Sequence, residues 1–216
     1  MPEASRGVRR VEQIMGMPII VDLQDTDVDI SVIEKVFDWL RFVDTTFSTY
    51  RSDSDISRLN RGELTLEAVH PDVREVLARC DQLKDETNGY FDIRAPFKGP
   101  DAEHALADSI SAPVDPSGLV KGWSVDRAAQ ILDAAGAHNY YINAGGDVIL
   151  RGRPSDGPLW RIGIQHPFVR DRVAVVVSAN DLAIATSGAY ERGEHIVDPH
   201  TGFPPTGILS VTIVGP

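Results

Sequence analysis

The 216-residue chain is long enough for one sizeable domain, and its 42% hydrophobic and 25% charged residues are ordinary for a globular protein. Its 32 acidic residues outnumber 21 lysines and arginines, and the formal net charge of -11 argues against broad binding of nucleic acid. The single cysteine, Cys80, excludes an internal disulfide, and its apolar neighbours at helical spacing predict a buried, unreactive side chain.

The sequence shows no sign of membrane insertion. No apolar run reaches the roughly 18 to 20 residues of a membrane-spanning helix, and the first residues lack a signal-peptide pattern. We therefore expect a cytoplasmic protein in which residues 1–216 form a single domain. The oligomeric state stays open at this point, with a homodimer among the alternatives.

The first predicted elements are a strand and a long helix. Segment 18–23 is apolar and β-branched, which is typical of a strand. A helix is predicted from Ser31, because Ser31 and Glu34 have the spacing of a capping box. The buried stripe of this helix is predicted from helical spacing and comprises Ile33, Val36, Phe37, Leu40, Val43 and Phe47.

Two further helices follow. One is predicted to begin near Pro71, which suits a first helical turn, and to stop at Asn88 and Gly89, which suit a left-handed cap. The other is predicted over residues 122–135. Between them, residues 98–113 show the weakest pattern of the chain, and we expect a surface excursion there.

The remainder of the chain is rich in predicted strands. These β-branched and apolar segments cover residues 140–143, 148–151, 160–165, 173–178, 182–186 and 209–214. A helix-rich first part followed by a sheet-rich second part favours an α+β fold with an antiparallel sheet over a doubly wound fold.

The segment DPSGLVKG, residues 115–122, can hold a phosphate. Lys121 lies where the third helix is predicted to begin, and amides at a helix start together with an ammonium group favour a phosphate. Asp115, in the incoming loop, can accept hydrogen bonds from a ribose or a base. A turn followed by a solvated lysine accounts for the same pattern equally well.

The segment NAGGD, residues 143–147, follows a predicted strand. Its paired glycines permit close approach of a ligand or of another backbone, and they also suit a plain hairpin turn. The chain contains neither the GxGxxG fingerprint of dinucleotide-binding folds nor a GxxxxGK[ST] phosphate loop.

The segment TSGAYERGEHIVDPHTG, residues 186–202, carries several chemically active groups. His195, Asp198 and His200 are spaced closely enough to bind a metal, although no HExxH-like helix supports such a site. Alternatively, His195 is a general base, because an imidazole suits proton abstraction from a hydroxyl near neutral pH. A purely structural histidine is the third alternative. Ser187 lacks the GxSxG elbow of serine hydrolases.

Six segments in this order resemble the FAD:protein FMN transferase (ApbE-type) family. Each segment is weakly specific alone, but the ordered set is highly specific and spans residues 15–216. The segments are MGM at 15–17, FSTYRSDSDISRLN at 47–60, NGYFD at 88–92, DPSGLVKGWSVD at 115–126, YYINAGGDV at 140–148 and SGAYERGEHIVDPHTG at 187–202.

The resemblance implies the α+β fold of that family, FAD as the ligand and a set of site residues. It implies contacts with the flavin nucleotide from Met15, Tyr50, Tyr90, Phe91, Asp92, Asp115, Lys121 and Val197. Gly118 matches a position that ligates magnesium, and His195 matches the proposed base. The implied reaction is attack by a threonine hydroxyl of an acceptor protein on the FMN phosphorus, with release of AMP and with Mg²⁺ neutralising the pyrophosphate.

Two departures from the family pattern shape the expectations. The family continues past a strand such as SVTIVGP into a helix that supplies an Asp and a Thr to magnesium, whereas this sequence ends at Pro216. Either the natural chain continues or the protein binds metal weakly, and the latter favours a FAD-binding or FAD-hydrolysing protein without an acceptor. Many family members also carry a secretion signal, and the first residues of this sequence lack that pattern. The acceptor is therefore expected on the cytoplasmic side.

Overall fold

The computed structural model describes residues 7–95, 113–169, 171–188 and 196–216. The chain divides into two compact units. The first unit comprises Met1–Phe42, Lys121–Gly188 and Ser210–Pro216, and the second comprises Val43–Val120 and Ala189–Leu209.

Along the described residues, two strands are followed by four helices and then by six strands. The helices are α1 (Ser31–Phe47), α2 (Asp55–Asn60), α3 (Pro71–Glu86) and α4 (Ser117–Ala134). The strands are β1 (Val8–Ile14), β2 (Met17–Leu23), β3 (Tyr140–Ala144), β4 (Asp147–Arg151), β5 (Trp160–Gln165), β6 (Val173–Ala179), β7 (Leu182–Gly188) and β8 (Ser210–Gly215). In the part of the chain that the structure describes, no helix is both long enough and apolar enough to cross a membrane.

An antiparallel sheet organises the first unit. Its strand order is β1-β2-β3-β4-β7-β8, and β5 pairs with β6 in a separate two-stranded ribbon. Every pairing is antiparallel, and two-residue turns join β1 to β2 and β3 to β4. The predicted α+β class with an antiparallel sheet is therefore confirmed.

The core of the first unit lies between one face of this sheet and two helices. Alternate residues of β2 are buried because successive side chains of a strand point to opposite faces. The helix residues buried in this core recur every three or four positions along α1 and α4. They include Ile33, Val36, Phe37 and Leu40 of α1, with Val125, Ala128, Ala129 and Leu132 of α4.

Tyr140 is the largest fully buried side chain of this core. Its hydroxyl donates to Asp133 Oδ1 at 2.6 Å and lies 3.2 Å from the carbonyl oxygen of Ala129. Burial and the hydrogen bond to Asp133 raise the pKa of Tyr140, so the phenol stays neutral. The polar end of the ring thus fixes β3 against α4.

Most predicted elements are present, and the exceptions have local causes. The sequence analysis omitted β1 and α2, and it placed the start of α4 too late. That helix begins at Ser117 because Asp115 Oδ1 accepts hydrogen bonds from the Ser117 amide at 3.0 Å and the Ser117 hydroxyl at 2.5 Å. Pro116 is compatible with the first turn, so the DPS sequence starts a helix here.

The predicted capping box of α1 is replaced by other contacts. The Ser31 amide donates to Asp29 Oδ1 at 2.9 Å. Glu34 instead forms ion pairs with Arg10 of β1 and with Arg41 of α1 itself, and the pair with Arg10 connects the helix to the strand. The helix start was predicted correctly, but its capping residue is Asp29, two positions earlier in the chain.

Candidate functional site

Two tight hairpin turns carry the glycine motifs of the first unit. Met15 and Gly16 connect β1 to β2 with φ angles of 55° and 71°, and Gly145 and Gly146 connect β3 to β4 with 56° and 97°. Positive φ at both central residues is the geometry of a type I′ hairpin. The NAGGD segment is therefore a hairpin turn, and its Asn143 Oδ1 accepts a hydrogen bond from the Gly146 amide at 3.0 Å.

Both turns lie at the same end of the sheet. Strands β2 and β3 are antiparallel with Ile19 opposite Ala144, and the Gly145 amide donates to the Pro18 carbonyl at 3.4 Å. A Cβ at Gly145 would lie 2.7 Å from Met17 Sδ, so a side chain there would displace that of Met17, and the positive φ also favours glycine. Met15, predicted to contact the flavin nucleotide, thus stands next to the NAGGD turn and packs partly against the core.

A carboxylate at this sheet end connects three of the motifs found in the sequence. Asp147, the first residue of β4, lies with Oδ2 2.8 Å from Lys121 Nζ. Its Oδ1 accepts a hydrogen bond from the Thr186 amide of β7 at 3.2 Å. Lys121 of DPSGLVKG and Thr186 at the end of β7 therefore both contact Asp147 of NAGGD.

The Lys121–Asp147 pair is largely removed from solvent. The Lys121 side chain is 30% exposed and that of Asp147 is 14% exposed. Lys121 belongs to the body of α4, because the helix starts at Ser117, so its predicted place at the helix start is wrong. Its ammonium group stands at the turn end of the sheet, where the remaining donors can bind an anion.

In the second unit, the NGYFD and DPSG segments contact each other. The Asp115 amide donates to the Ile93 carbonyl at 2.9 Å, and the Phe91 amide donates to Thr87 Oγ1 at 2.9 Å. A Cβ at Gly118 would lie 3.3 Å from the Phe91 ring. The structure thus brings Phe91, Asp115 and Gly118 together at the start of α4.

Asp92 is held as an anion in the same unit. Its Oδ2 lies 2.8 Å from Lys84 Nζ of α3, and its Oδ1 accepts a hydrogen bond from the Arg94 amide at 2.9 Å. Burial favours the neutral carboxyl, but the hydrogen bonds from Lys84 and the Arg94 amide outweigh it and lower the pKa of Asp92. The side chain is 18% exposed and presents a charged acceptor.

Tyr50 projects from a loop that is fixed at its base. The Ser48 carbonyl accepts hydrogen bonds from Ser54 Oγ at 2.6 Å and from Ser57 Oγ at 3.3 Å. The same Ser54 hydroxyl accepts a hydrogen bond from the Ser57 amide at 3.0 Å and caps α2. Tyr50 itself is 96% exposed, and an exposed aromatic ring on an ordered backbone is suited to stacking on a planar ligand.

Tyr90 is exposed too, but one edge of its ring has a partner. The ring centroids of Tyr90 and His200 lie 4.5 Å apart in an edge-on arrangement. The neighbouring Gly89 has a φ of 81°, and a Cβ there would lie 3.4 Å from His200 Cε1. Val197 lies partly buried just before the turn in which the Gly202 amide donates to the Asp198 carbonyl at 2.7 Å.

His195, the predicted base, lies outside the residues that the structure describes. The alternative metal site of His195, Asp198 and His200 includes that residue, so its geometry is also undescribed. Among the described residues there is no group of three or more His, Cys, Asp or Glu side chains able to hold a metal ion. The magnesium contact predicted for Gly118 stays a prediction.

Comparison with known proteins settles the family. The model of the ApbE family matches residues 15–96 and 100–216. The chain belongs to the ApbE family. This match includes all six segments on which the resemblance was based.

The ApbE chain is similar to curated relatives over most of its length. It is 32% identical over 219 residues to the FAD:protein FMN transferase of Vibrio cholerae, covering 81% of this chain. It is 28% identical over 227 residues to the FAD:protein FMN transferase of Haemophilus influenzae, covering 82% of this chain. Each match spans 66% of the relative, so the ApbE chain covers just under two thirds of their length.

Solved structures of other family members share the fold of this chain. Flavin transferase ApbE from Vibrio cholerae superposes with a TM-score of 0.79 at 29% identity, covering 97% of this chain and 82% of that one. The apo form of Pseudomonas stutzeri flavinyl transferase ApbE gives a TM-score of 0.76 at 24% identity, covering 97% and 80%. The second likeness supports the fold alone.

Three residues of the ApbE chain have contacts that the sequence analysis did not anticipate. Asp147 pairs with Lys121, Lys84 pairs with Asp92, and His200 packs on Tyr90. The only sequence signal for Asp147 was its place directly after the paired glycines. Lys84 had none, and His200 was a candidate metal ligand only, because the partners of both residues are set by tertiary packing.

Proposed function

We propose that this protein is a FAD:protein FMN transferase, which binds FAD, transfers the FMN moiety to a threonine hydroxyl of an acceptor protein and releases AMP. The observation that carries the proposal is the family match over residues 15–96 and 100–216, which includes every segment proposed to contact FAD. The relatives named FAD:protein FMN transferase support the same activity.

In the first unit, Lys121 is the proposed phosphate contact. Its ammonium group uses one donor on Asp147 at 2.8 Å and has two further donors for phosphate oxygens. Partial burial of Lys121 favours this role, since the attraction between an ammonium group and a phosphate is stronger in a lower dielectric than in water. Met15, in the neighbouring turn, is the proposed apolar contact for the flavin nucleotide.

In the second unit, the proposed contacts are aromatic rings and anionic acceptors. Tyr50 and Tyr90 offer exposed rings for stacking on a planar ring system. Asp92 and Asp115 accept hydrogen bonds from hydroxyl or amino groups of the nucleotide, and the low pKa of Asp92 keeps it ionised. The remaining contacts implied by the resemblance are those of Phe91 and Val197.

The proposed transfer is a displacement at phosphorus. The threonine oxygen forms a bond to the FMN phosphorus, the bond from that phosphorus to the bridging oxygen breaks, and AMP leaves with that oxygen. His195 is proposed to take the proton of the threonine hydroxyl. His195→Ala should therefore reduce the transfer rate by roughly a hundredfold or more while leaving FAD affinity nearly unchanged, and equal loss of both would reject this role.

The proposed transfer also depends on magnesium, as the resemblance implies. Magnesium requires several hard oxygen ligands in octahedral geometry. The described residues offer the predicted contact at Gly118 and no cluster of metal-binding side chains, so by themselves they do not complete such a site. Transfer assays with added Mg²⁺ and with chelator test the dependence directly.

A gel assay tests the proposed activity. The protein is incubated with FAD, Mg²⁺ and a flavin-acceptor protein, and a threonine-to-alanine acceptor is the matched control. The proposal predicts a fluorescent acceptor band on a denaturing gel with the threonine acceptor only. Release of AMP and FMN without a labelled band would instead support the alternative of FAD hydrolysis.

The cytoplasmic location remains a proposal, and a homodimer remains one of the alternatives for the oligomeric state; each has its own test. Cell fractionation with an antibody against the protein measures the first. Sedimentation equilibrium over a range of concentrations measures the second, and a single monomeric mass throughout would reject it.

A further inference from the structure

We propose that Asp147 is a positioning residue that fixes the ammonium group of Lys121 for contact with a phosphate of FAD. This inference rests on the proposed function, because it assigns Asp147 a role only through the phosphate contact of Lys121. The observation behind it is the 2.8 Å contact between Lys121 Nζ and Asp147 Oδ2 at the turn end of the sheet.

Asp147 is itself held in place from two sides. The Gly145–Gly146 turn immediately before it is a type I′ hairpin, which fixes the direction in which β4 begins. The second carboxylate oxygen of Asp147, Oδ1, accepts the hydrogen bond from the Thr186 amide of β7 at 3.2 Å. The carboxylate is therefore a fixed point to which a flexible side chain can be anchored.

Lys121 needs such an anchor. A lysine ammonium is a compact charge on a flexible four-carbon stem, and it is strongly hydrated when nothing holds it. The contact with Asp147 restricts the stem but occupies only one of the three ammonium donors. The two remaining donors are then held at the turn end of the sheet before the phosphate arrives, which lowers the entropic cost of binding.

Partial burial favours positioning over a surface role for this pair. With 14% of the Asp147 side chain exposed, the carboxylate would be poorly solvated without its partners. Exposed ion pairs such as Arg79–Glu86, whose side chains are 44% and 55% exposed, are screened by solvent and contribute little. The Lys121–Asp147 pair is therefore expected to keep one geometry more strongly than the exposed Arg79–Glu86 pair.

A double-mutant cycle on FAD affinity tests the inference. The dissociation constant of FAD is measured for the full chain, for Lys121→Met, for Asp147→Asn and for the double variant. Asparagine keeps an oxygen for the Thr186 amide but loses the charge that anchors Lys121. If Asp147 positions Lys121, Lys121→Met weakens FAD binding by roughly ten- to a hundredfold in the parent, the range of a hydrogen bond to a charged group. In the Asp147→Asn background we expect less than about a threefold effect.

Several other outcomes overturn the inference. An undiminished effect of Lys121→Met in the Asp147→Asn background would show that Asp147 serves only to hold the sheet together. A larger effect would show that Asp147 competes with the phosphate for the lysine. If the parent binds FAD but Lys121→Met leaves the affinity unchanged, the lysine contact fails, and absence of FAD binding by the parent would reject the proposed function as well.

Controls separate positioning from stability. Asp133→Asn removes another carboxylate of the first unit that accepts a hydrogen bond, and we expect it to leave the Lys121→Met effect intact. Asp147→Glu keeps the charge, and we expect it to restore part of the coupling. Should Asp147→Asn fail to fold, ¹⁵N spectra of the lysine ammonium groups in the parent decide the matter. A slowly exchanging Lys121 signal that shifts on addition of FAD supports the inference, and a solvent-averaged signal overturns it.

Discussion

Removing the carboxylate of Asp25 should destabilise the protein measurably. This side chain accepts three hydrogen bonds, from the His138 amide at 2.7 Å, the Asn139 amide at 2.7 Å and Asn139 Nδ2 at 2.6 Å. These contacts join the loop after β2 to the segment that leads into β3, the strand paired with β2. Asp25→Ala therefore frees the entry into the strand that ends in the NAGGD turn.

The expected magnitude follows from the type and exposure of these bonds. Hydrogen bonds to a charged group contribute roughly 1.5–3 kcal/mol each. Because water can replace the carboxylate at the more exposed His138 amide, the contributions do not add fully, and we expect a loss of about 2–3 kcal/mol in the free energy of unfolding. For a chain of this size, such a loss lowers the Tm by roughly 4–12 °C.

The effect of Asp25 should depend on pH in a defined direction. Burial would raise the pKa of Asp25, but the hydrogen bonds from Asn139 and the His138 amide outweigh it, so the folded-state pKa lies below the ordinary value. The stabilisation is therefore present above the unfolded carboxyl pKa of about 3.9 and is lost as the pH falls through the folded-state pKa. The difference between parent and Asp25→Ala should shrink accordingly in acid.

Urea denaturation followed by circular dichroism measures this prediction at pH 7 and at several acid pH values. Asp27→Ala, two residues along the chain at an exposed position, is the matched control, with an expected change below about 0.5 kcal/mol. A loss below about 0.5 kcal/mol for Asp25→Ala at pH 7, with an unchanged slope against urea, would refute the reasoning.

Three further predictions concern a turn, a buried thiol and an acidic site residue. Gly145→Ala should cost about 2 kcal/mol in thermal unfolding, since φ is 56° and a methyl would lie 2.7 Å from a methionine sulfur. Gly62→Ala, with positive φ but open space, should cost less. Burial raises the pKa of Cys80 to about 11, so iodoacetamide at pH 8 should modify it only in denaturant, and rapid native labelling would contradict this. Lys84→Met should raise the pKa of Asp92, measured by NMR titration of its carboxyl carbon, and an unchanged value would contradict the ion pair.

The sequence predicted most strands and three of the helices because their signals are local. Runs of β-branched and apolar residues gave β2 to β8, and helical spacing of apolar residues gave α1, α3 and all but the first residues of α4. Strand β1 was missed because its sequence VRRVEQI mixes charges with apolar residues, and most of its side chains are at least partly exposed. Short α2 was missed because six residues are too few to show a helical period.

The candidate site was predictable only where residues lie within a motif. The DPSG, NAGGD and NGYFD segments were found by their glycines, and the turn geometry at Gly145 and Gly146 explains the paired glycines of NAGGD. The pairing of Lys121 with Asp147 was not predictable, because it depends on how α4 packs on the sheet. The start of α4 was misplaced because Asp115 and Pro116 suit a turn as well as a helix N-terminus.

Intact-mass spectrometry of an acceptor protein tests the central claim most directly. The acceptor is incubated with this chain, FAD and Mg²⁺, and AMP is quantified in the same sample. The proposed function predicts that the acceptor gains the mass of one FMN group at its target threonine and that one AMP appears for each group transferred. An acceptor of unchanged mass, with or without AMP release, would contradict the proposed transfer.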